Sequence, residues 1–143
     1  MYANTGVSDD QRSIAESILR AVGIEIWVDD EAMMDAVTAL SGSGPAYLFL
    51  DIEALQDARR EHGITDETAY LLALQTTFGA AKMALESEEN AATLRQRVTS
   101  PGGTTERAIN TLHEGGFREL VTRALHAAAE RSRELSREFG SKQ

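Results

Sequence analysis

The segment Ser100-Pro101-Gly102-Gly103-Thr104-Thr105 has the residue types that most directly suggest binding of a small anion. Two adjacent glycines let the backbone adopt positive φ and approach a ligand closely. A helix is predicted to follow, so free backbone N–H groups would point into the loop and favour a carboxylate. Thr104 and Thr105 add hydroxyls that can donate or accept hydrogen bonds. From the residue types alone a capped helix–helix turn is the more common explanation, because Thr is an ordinary N-cap residue.

A second segment of small residues, Ser41-Gly42-Ser43-Gly44-Pro45, suggests a phosphate-binding loop at first sight. It lacks the third glycine of G-x-G-x-x-G and the Gly-Lys-Ser/Thr of a P-loop, and no strand is predicted before it. Pro at the first position of a helix after a small residue is routine. The residues alone therefore favour a helix start at Pro45 over a nucleotide site.

Metal and acid–base sites have little support. His62, His113 and His126 share no i, i+3 or i, i+4 spacing, and the chain has no cysteine, so we expect no metal site. The acidic runs Asp29–Glu31 and Glu86–Glu89 fit solvated helix ends. A carboxylate pair acting as acid and base would need one member buried, and no sequence pattern shows that.

Composition narrows the function classes. The 143 residues carry 23 acidic and 14 basic side chains, a net charge of −9, which argues against nucleic acid and anionic membranes as partners. The absence of cysteine excludes disulfides, thiolate metal sites and cysteine nucleophiles. The first residues lack the basic and apolar regions of a signal peptide, and Gln75, Thr76 and Thr77 interrupt the longest apolar stretch. We therefore expect a cytoplasmic protein.

Helical patterns account for most of the chain. Ser8 and Gln11 form a capping-box pattern for a first helix, and Gly23 stands where a C′ glycine would end it. Ile24–Val28 alternates in character and is the only predicted strand. Thr38–Gly44 is predicted to be a loop. Further helices are predicted over Glu31–Val37, Pro45–Glu61, Thr65–Glu86, Asn90–Val98, Glu106–Glu114 and from Phe117 onward.

The small-residue segments Ser41–Pro45 and Ser100–Thr105 belong to a sequence pattern that resembles pyrroline-5-carboxylate reductase, the enzyme family that makes proline. The matching segments follow family order and spacing, and they are Asp35–Tyr47, Gly79–Met83, Val98–Thr105 and Glu130–Leu135. The resemblance implies a mainly α fold, a helical dimerisation domain like the C-terminal domains of 6-phosphogluconate dehydrogenase type. One helix and one or two strands would be left over from a dinucleotide-binding domain.

The same resemblance divides the chain in two. Residues 1–29 would be the tail of an N-terminal dinucleotide-binding domain, whose glycine-rich βα turn has no counterpart here. Residues 30–143 would form the helical dimerisation and substrate-loop domain. The apolar stripe of the first helix would then lack its usual cover, so we expect residues 1–29 to be displaced, exchanged with a partner or packed on a neighbour. The stripe consists of Ile14, Ile18, Leu19 and Val22.

The activity that the resemblance implies is hydride transfer from NADPH or NADH to the imine carbon of 1-pyrroline-5-carboxylate. Ser100 and the backbone of Gly102, Gly103 and Thr104 would hold the substrate carboxylate. The Thr105 hydroxyl, the one implied catalytic group, would form a hydrogen bond with the ring nitrogen. Because threonine is a poor acid at pH 7, Thr105 is expected to orient the ring rather than supply the proton.

Other positions match family residues around this site. Thr38 and Glu88 match residues that support the threonine. The segment containing Ser41, Gly42, Ser43 and Gly44 matches the one beside the nicotinamide.

The resemblance also implies a homodimer with interlocked helices, and rings of dimers in some members. No cofactor is expected to bind this chain alone, so the chain alone is predicted to be inactive. A stand-alone helical dimerisation or interaction module without catalysis is the alternative, and the intact Ser100–Thr105 loop counts against it. Chemistry on another cyclic imino acid is a weaker alternative.

Overall fold

The protein is described by a computed structural model that covers residues 1–140, apart from the side chain of Arg60. The helices are α1 (Asp9–Arg20), α2 (Met33–Val37), α3 (Gly44–Ala58), α4 (Asp66–Glu86), α5 (Ala91–Arg97), α6 (Thr104–Glu114) and α7 (Phe117–Gly140). A π-helical turn, Thr38–Gly42, follows α2, and a 3₁₀ turn, Arg59–Glu61, follows α3. The mainly α prediction is confirmed. No helix within residues 1–140 is long and apolar enough to cross a membrane.

The strand predicted at Ile24–Val28 is wrong, since residues 1–140 contain no strand. Within residues 1–140 the backbone of this segment pairs with Met1. The Val28 N–H donates to the Met1 carbonyl at 2.8 Å, and the Met1 ammonium donates to the Ile26 carbonyl. Two backbone bonds are too few for a ladder, so the alternating pattern forms no sheet within residues 1–140.

Helix α1 begins as the sequence predicts and ends differently. The Ser8 hydroxyl accepts from the Gln11 N–H at 3.3 Å, and the Gln11 side chain accepts from the Ser8 N–H at 2.9 Å, which completes the capping box. The helix ends at a C-cap of Ala21 in right-handed conformation. Gly23 has no positive φ, so its predicted role as the C′ residue is wrong.

The predicted loop Thr38–Gly44 is also wrong, because residues 38–42 continue α2 as a π-helical turn. The Ser43 N–H donates to the Thr38 carbonyl at 2.9 Å, which closes the wide five-residue turn. The side chain of Ala39 is 2% exposed and anchors the turn in the core. Only at Gly44 does α3 begin, with Pro45 in its first turn.

The chain divides into two compact units. One contains Met1–Gly44 together with the chain from Arg123 onward, and the other contains Pro45–Thr122. The boundary predicted at residue 29 concerns a relation to a longer protein, and it stays a prediction. In the first unit the α1 stripe is uncovered, with Ile14 60% and Ile18 63% exposed.

Few large side chains are buried in the described chain. The buried hydrophobic residues are small except for one isoleucine, and they are Ala39, Ile52, Ala69, Ala73 and Ala129. Large apolar side chains lie in the open on most helices, including Phe49 on α3 and Phe78 on α4. Burial of such side chains is the main stabilising contribution to folding, and residues 1–140 do not supply the cover that these faces need.

Candidate functional site

The Ser100–Thr105 segment forms a tight turn between α5 and α6. Gly102 has φ of +71°, a left-handed conformation that favours glycine. The Gly103 N–H donates to the Ser100 carbonyl at 3.0 Å, and Gly103 itself is the N-cap of α6. The predicted helix start at Glu106 is therefore two residues late, because Thr104 and Thr105 already lie in the first turn of α6.

Gly103→Ala is expected to destabilise this turn. A Cβ at position 103 would lie 3.0 Å from the Ser100 carbonyl oxygen, a backbone atom that cannot move independently. Overpacking of this kind costs about 1–3 kcal/mol, which thermal unfolding of the variant would register. Gly23→Ala is the control, because its Cβ would meet nothing within 4 Å. Equal stability of the two variants would contradict the close approach at Gly103.

Backbone donors converge at the start of α6. The first bond of this helix runs from the Arg107 N–H to the Gly103 carbonyl at 3.3 Å, so the N–H groups of Thr104, Thr105 and Glu106 precede the helical ladder. Gly103 has no side chain to cap them. The Gly102 N–H donates to Glu106 Oε2 at 2.8 Å. The turn therefore already holds a carboxylate, one that belongs to its own helix.

An open groove of about 490 Å³ lies beside this turn. Gly102, Gly103 and Thr104 line it together with polar residues of α6, including Arg107 and Asn110. Ser100 and Thr105 do not line this groove, and both are exposed. The structure thus places five predicted site residues in one turn, of which three face the groove.

A second groove, of about 530 Å³, lies in the unit that contains the π-helical turn. Thr38 and Ser43 line one side, and the face of α7 from Ala128 to Phe139 lines the other. Arg131 on that face is bound by Glu134 at 2.7 Å and Glu138 at 3.0 Å. The hydrogen bonds that Arg131 donates to Glu134, the larger effect, and to Glu138 raise the pKa of Arg131. Because two carboxylates already neutralise it, Arg131 offers no free charge to an anion.

Asp35 connects the side of this second groove that holds Thr38 and Ser43 to the α7 side. The Ser132 hydroxyl donates to Asp35 Oδ1 at 2.6 Å, and Arg133 Nε lies 3.8 Å from Oδ2. The Asp35 side chain is 19% exposed. Asp35 and Ser132 are 97 residues apart in the sequence, so no local spacing could reveal their contact.

The remaining predicted site residues are scattered. Ser41 and Gly42 are exposed, and Gly44 is the first residue of α3. Glu88 is exposed between α4 and α5, whereas its neighbour Glu89 pairs with Arg97 at 2.6 Å. The supporting role of Glu88 stays a prediction.

The histidines and acidic runs stay outside the two grooves described above. His113 contacts Arg95, with 3.3 Å between His113 Nε2 and Arg95 Nη1. Glu86 lies 3.7 Å from Lys82 one turn earlier, an ordinary exposed helix pair. Within residues 1–140 no group of three or more acidic, histidine or cysteine side chains could hold a metal ion.

Comparison with known proteins places the chain in a family. Residues 31–135 match the family model described as pyrroline-5-carboxylate reductase dimerisation. The chain is 55% identical over 140 residues to a pyrroline-5-carboxylate reductase of Pseudomonas aeruginosa, covering 98% of this chain and 51% of that protein. It is 47% identical over 136 residues to the Arabidopsis thaliana enzyme of the same name, covering 95% of this chain and 49% of that one.

Solved structures agree with the sequence matches. A pyrroline-5-carboxylate reductase from Coxiella burnetii superposes with a TM-score of 0.89 at 57% identity, covering 94% of this chain and 50% of that one. The Plasmodium falciparum pyrroline carboxylate reductase, solved with NADP bound, superposes with a TM-score of 0.82 at 35% identity, covering 90% of this chain and 49% of that one. The chain spans about half the length of the relatives that it matches. The described fold, the Ser100–Thr105 turn and these matches agree, and the chain belongs to the pyrroline-5-carboxylate reductase dimerisation family.

Proposed function

We propose that this chain is the dimerisation and substrate-loop half of a pyrroline-5-carboxylate reductase. The complete enzyme would reduce 1-pyrroline-5-carboxylate to L-proline with NADPH or NADH. The observation that carries the proposal is the Ser100–Thr105 turn, whose backbone N–H groups converge at the start of α6 and already hold a carboxylate. The names of the relatives supply the reaction.

The turn would bind the substrate by its carboxylate. Ser100 and the N–H groups of Gly102, Gly103 and Thr104 would be the donors, in a position where the helix dipole also favours an anion. The Gly102 N–H is engaged by Glu106, so the substrate would have to take that donor from the Glu106 carboxylate.

Thr105 would orient the reacting bond. In the protonated substrate, the ring N–H would donate to the Thr105 hydroxyl oxygen, which would fix the imine plane for attack at carbon. Thr38 and Glu88 would support this threonine, and Ser41, Gly42, Ser43 and Gly44 would border the nicotinamide. The hydroxyl of Thr105 would not act as the acid at pH 7.

The cofactor would be held mainly outside this chain. Residues 1–140 contain no strand, and the sequence has no G-x-G-x-x-G turn, so the dinucleotide has no βα unit to bind here. When bound in the complete enzyme, NADPH or NADH supplies the hydride. Residues 1–29 would be the end of the domain that binds it. The Plasmodium falciparum relative with NADP bound supports this choice of cofactor.

The complete enzyme would be a homodimer with interlocked helices. The family model describes dimerisation, and the exposed apolar side chains of α3 and α4 provide a surface for it. We also propose that these dimers can assemble into rings and that the complete enzyme is cytoplasmic.

The proposal is tested by NADPH and NADH oxidation with 1-pyrroline-5-carboxylate as the other substrate. The complete enzyme is expected to turn over, while the folded 143-residue chain, its helicity checked by circular dichroism, is not. Turnover by this chain alone would mean that it holds a cofactor site, and it would overturn the proposal that the cofactor binds mainly outside this chain. An inactive complete enzyme that still dimerises would favour the alternative, a helical dimerisation or interaction module without catalysis.

A further inference from the structure

We propose that Asp35 and Ser132 are positioning residues, which hold the π-helical turn Thr38–Gly42 against α7 so that Thr38 and Ser43 keep their places in the groove. This inference rests on the proposed function, which assigns those two residues to the active site. Neither Asp35 nor Ser132 would touch the substrate.

The contact is short and sheltered. The Ser132 hydroxyl donates to Asp35 Oδ1 at 2.6 Å, and the Asp35 side chain is 19% exposed. A hydrogen bond to a charged acceptor is shorter and stronger than a neutral one, and partial burial limits competition by water. Arg133 lies 3.8 Å from Oδ2 but is 55% exposed, so it adds little. Ser132 is therefore the principal partner of this carboxylate.

Asp35 acts directly on the turn through the backbone. The Thr38 N–H donates to the carbonyls of Asp35 and Met34, so α2 and the π-helical turn form one continuous helical piece. A displacement of Asp35 would therefore be transmitted to Thr38, the first residue of the turn.

The π-helical turn needs such an external tie. π-helical geometry is rare and occurs mostly as single turns inside helices, frequently at functional sites. Here the Ser43 N–H closes the end of the turn on the Thr38 carbonyl at 2.9 Å, and Ala39 is the buried side chain of the turn. A turn with so little of its own packing depends on its neighbours for a single conformation.

The groove links the contact to function. Thr38, Ser43 and Ser132 line the same groove of about 530 Å³, so the hydrogen bond sets the separation of its two walls. If that groove borders the nicotinamide, a loosened turn would misplace the reacting groups without removing any of them. Loss of orientation of this kind lowers kcat more than it raises KM.

Hydrogen–deuterium exchange on this chain tests the contact, and kinetics of the complete enzyme test its consequence. In Ser132→Ala the Ser43 amide is expected to exchange about tenfold faster, and kcat to fall about tenfold with KM for the substrate within about twofold. Ser132→Thr restores the hydroxyl and is expected to restore both. Asp35→Asn keeps a hydrogen-bond acceptor but loses its charge. It is expected to raise the Ser43 exchange rate and lower kcat, each about threefold.

Thr122→Ala is the matched control, because it removes a hydroxyl of α7 that bonds only to its own helix, at the Arg118 carbonyl. It is expected to leave exchange at Ser43 unchanged. If Ser132→Ala changes neither exchange nor kcat, or changes exchange without kcat, the positioning role is overturned. Should Ser132→Ala not fold, Asp35→Asn decides in the same way. A wild-type enzyme without turnover would instead refute the proposed function, while exchange would still report on the contact.

Discussion

Replacing Thr105 with alanine in the complete enzyme is expected to lower kcat/KM for 1-pyrroline-5-carboxylate by about 100-fold, the effect of removing one pre-positioned hydrogen-bonding group. Thr105 lies in the first turn of α6, where its backbone is fixed by the helix while its side chain is exposed. A hydroxyl on a fixed backbone can hold the ring nitrogen in one orientation at little entropic cost. Steady-state kinetics with each substrate varied in turn would measure the loss.

The dimer should survive this change, because the substitution removes one exposed hydroxyl and leaves the apolar faces intact. Thr105→Ser is the matched control, and it is expected to keep most of the activity since the hydroxyl remains. A Thr105→Ala enzyme that loses its dimer but keeps its rate per dimer would move Thr105 to a structural role. Thr104→Ala differs by one position and is expected to cost less, because the proposal uses the Thr104 N–H and not its hydroxyl.

The sequence predicted the fold where local signals and tertiary packing agree. Thr65 and Asn90 cap α4 and α5 as their residue types predict, with their side chains accepting from Thr68 and Thr93. The strand prediction at Ile24–Val28 was wrong because a strand requires a partner strand. Alternation in one segment carries no information about whether such a partner exists. The π-helical turn was missed because Ser and Gly are typical of loops, and the buried Ala39 that makes the turn part of the core is an unremarkable residue.

Part of the candidate site was predictable because its residues are close together in the sequence. The five predicted members of the substrate turn lie within six consecutive residues, so the chain itself brings them together. Glu106 was not singled out, although its position three residues after the Gly103 N-cap is where a side chain can reach back to a free backbone N–H. The Asp35–Ser132 contact joins segments that only the fold brings together, and it needed a structure.

Phe49→Glu is expected to break the proposed homodimer of the complete enzyme. Phe49 is 63% exposed on α3, and its neighbours Leu48 and Leu50 are 55% and 65% exposed. A charge left unpaired in a buried interface costs about 3–5 kcal/mol. Both protomers of a homodimer carry the substitution, so the dimer is expected to be at least about 1,000-fold weaker. Sedimentation velocity over a range of concentrations would measure the change. In the complete enzyme, Ser17→Glu adds the same charge on α1, in the part assigned to the cofactor domain and outside the family match at residues 31–135, and should leave the dimer intact.

The arrangement of these three side chains also constrains how the partner must bind. Consecutive residues on a helix point about 100° apart, so Leu48, Phe49 and Leu50 together expose apolar surface over more than half of the circumference of α3. A flat helix–helix contact would cover only one stripe. We expect interlocked helices of the proposed dimer to provide this cover, and the melting temperature of the wild type should then rise with chain concentration. A concentration-independent melting temperature, or a Phe49→Glu variant that remains dimeric, would contradict the interlocked dimer.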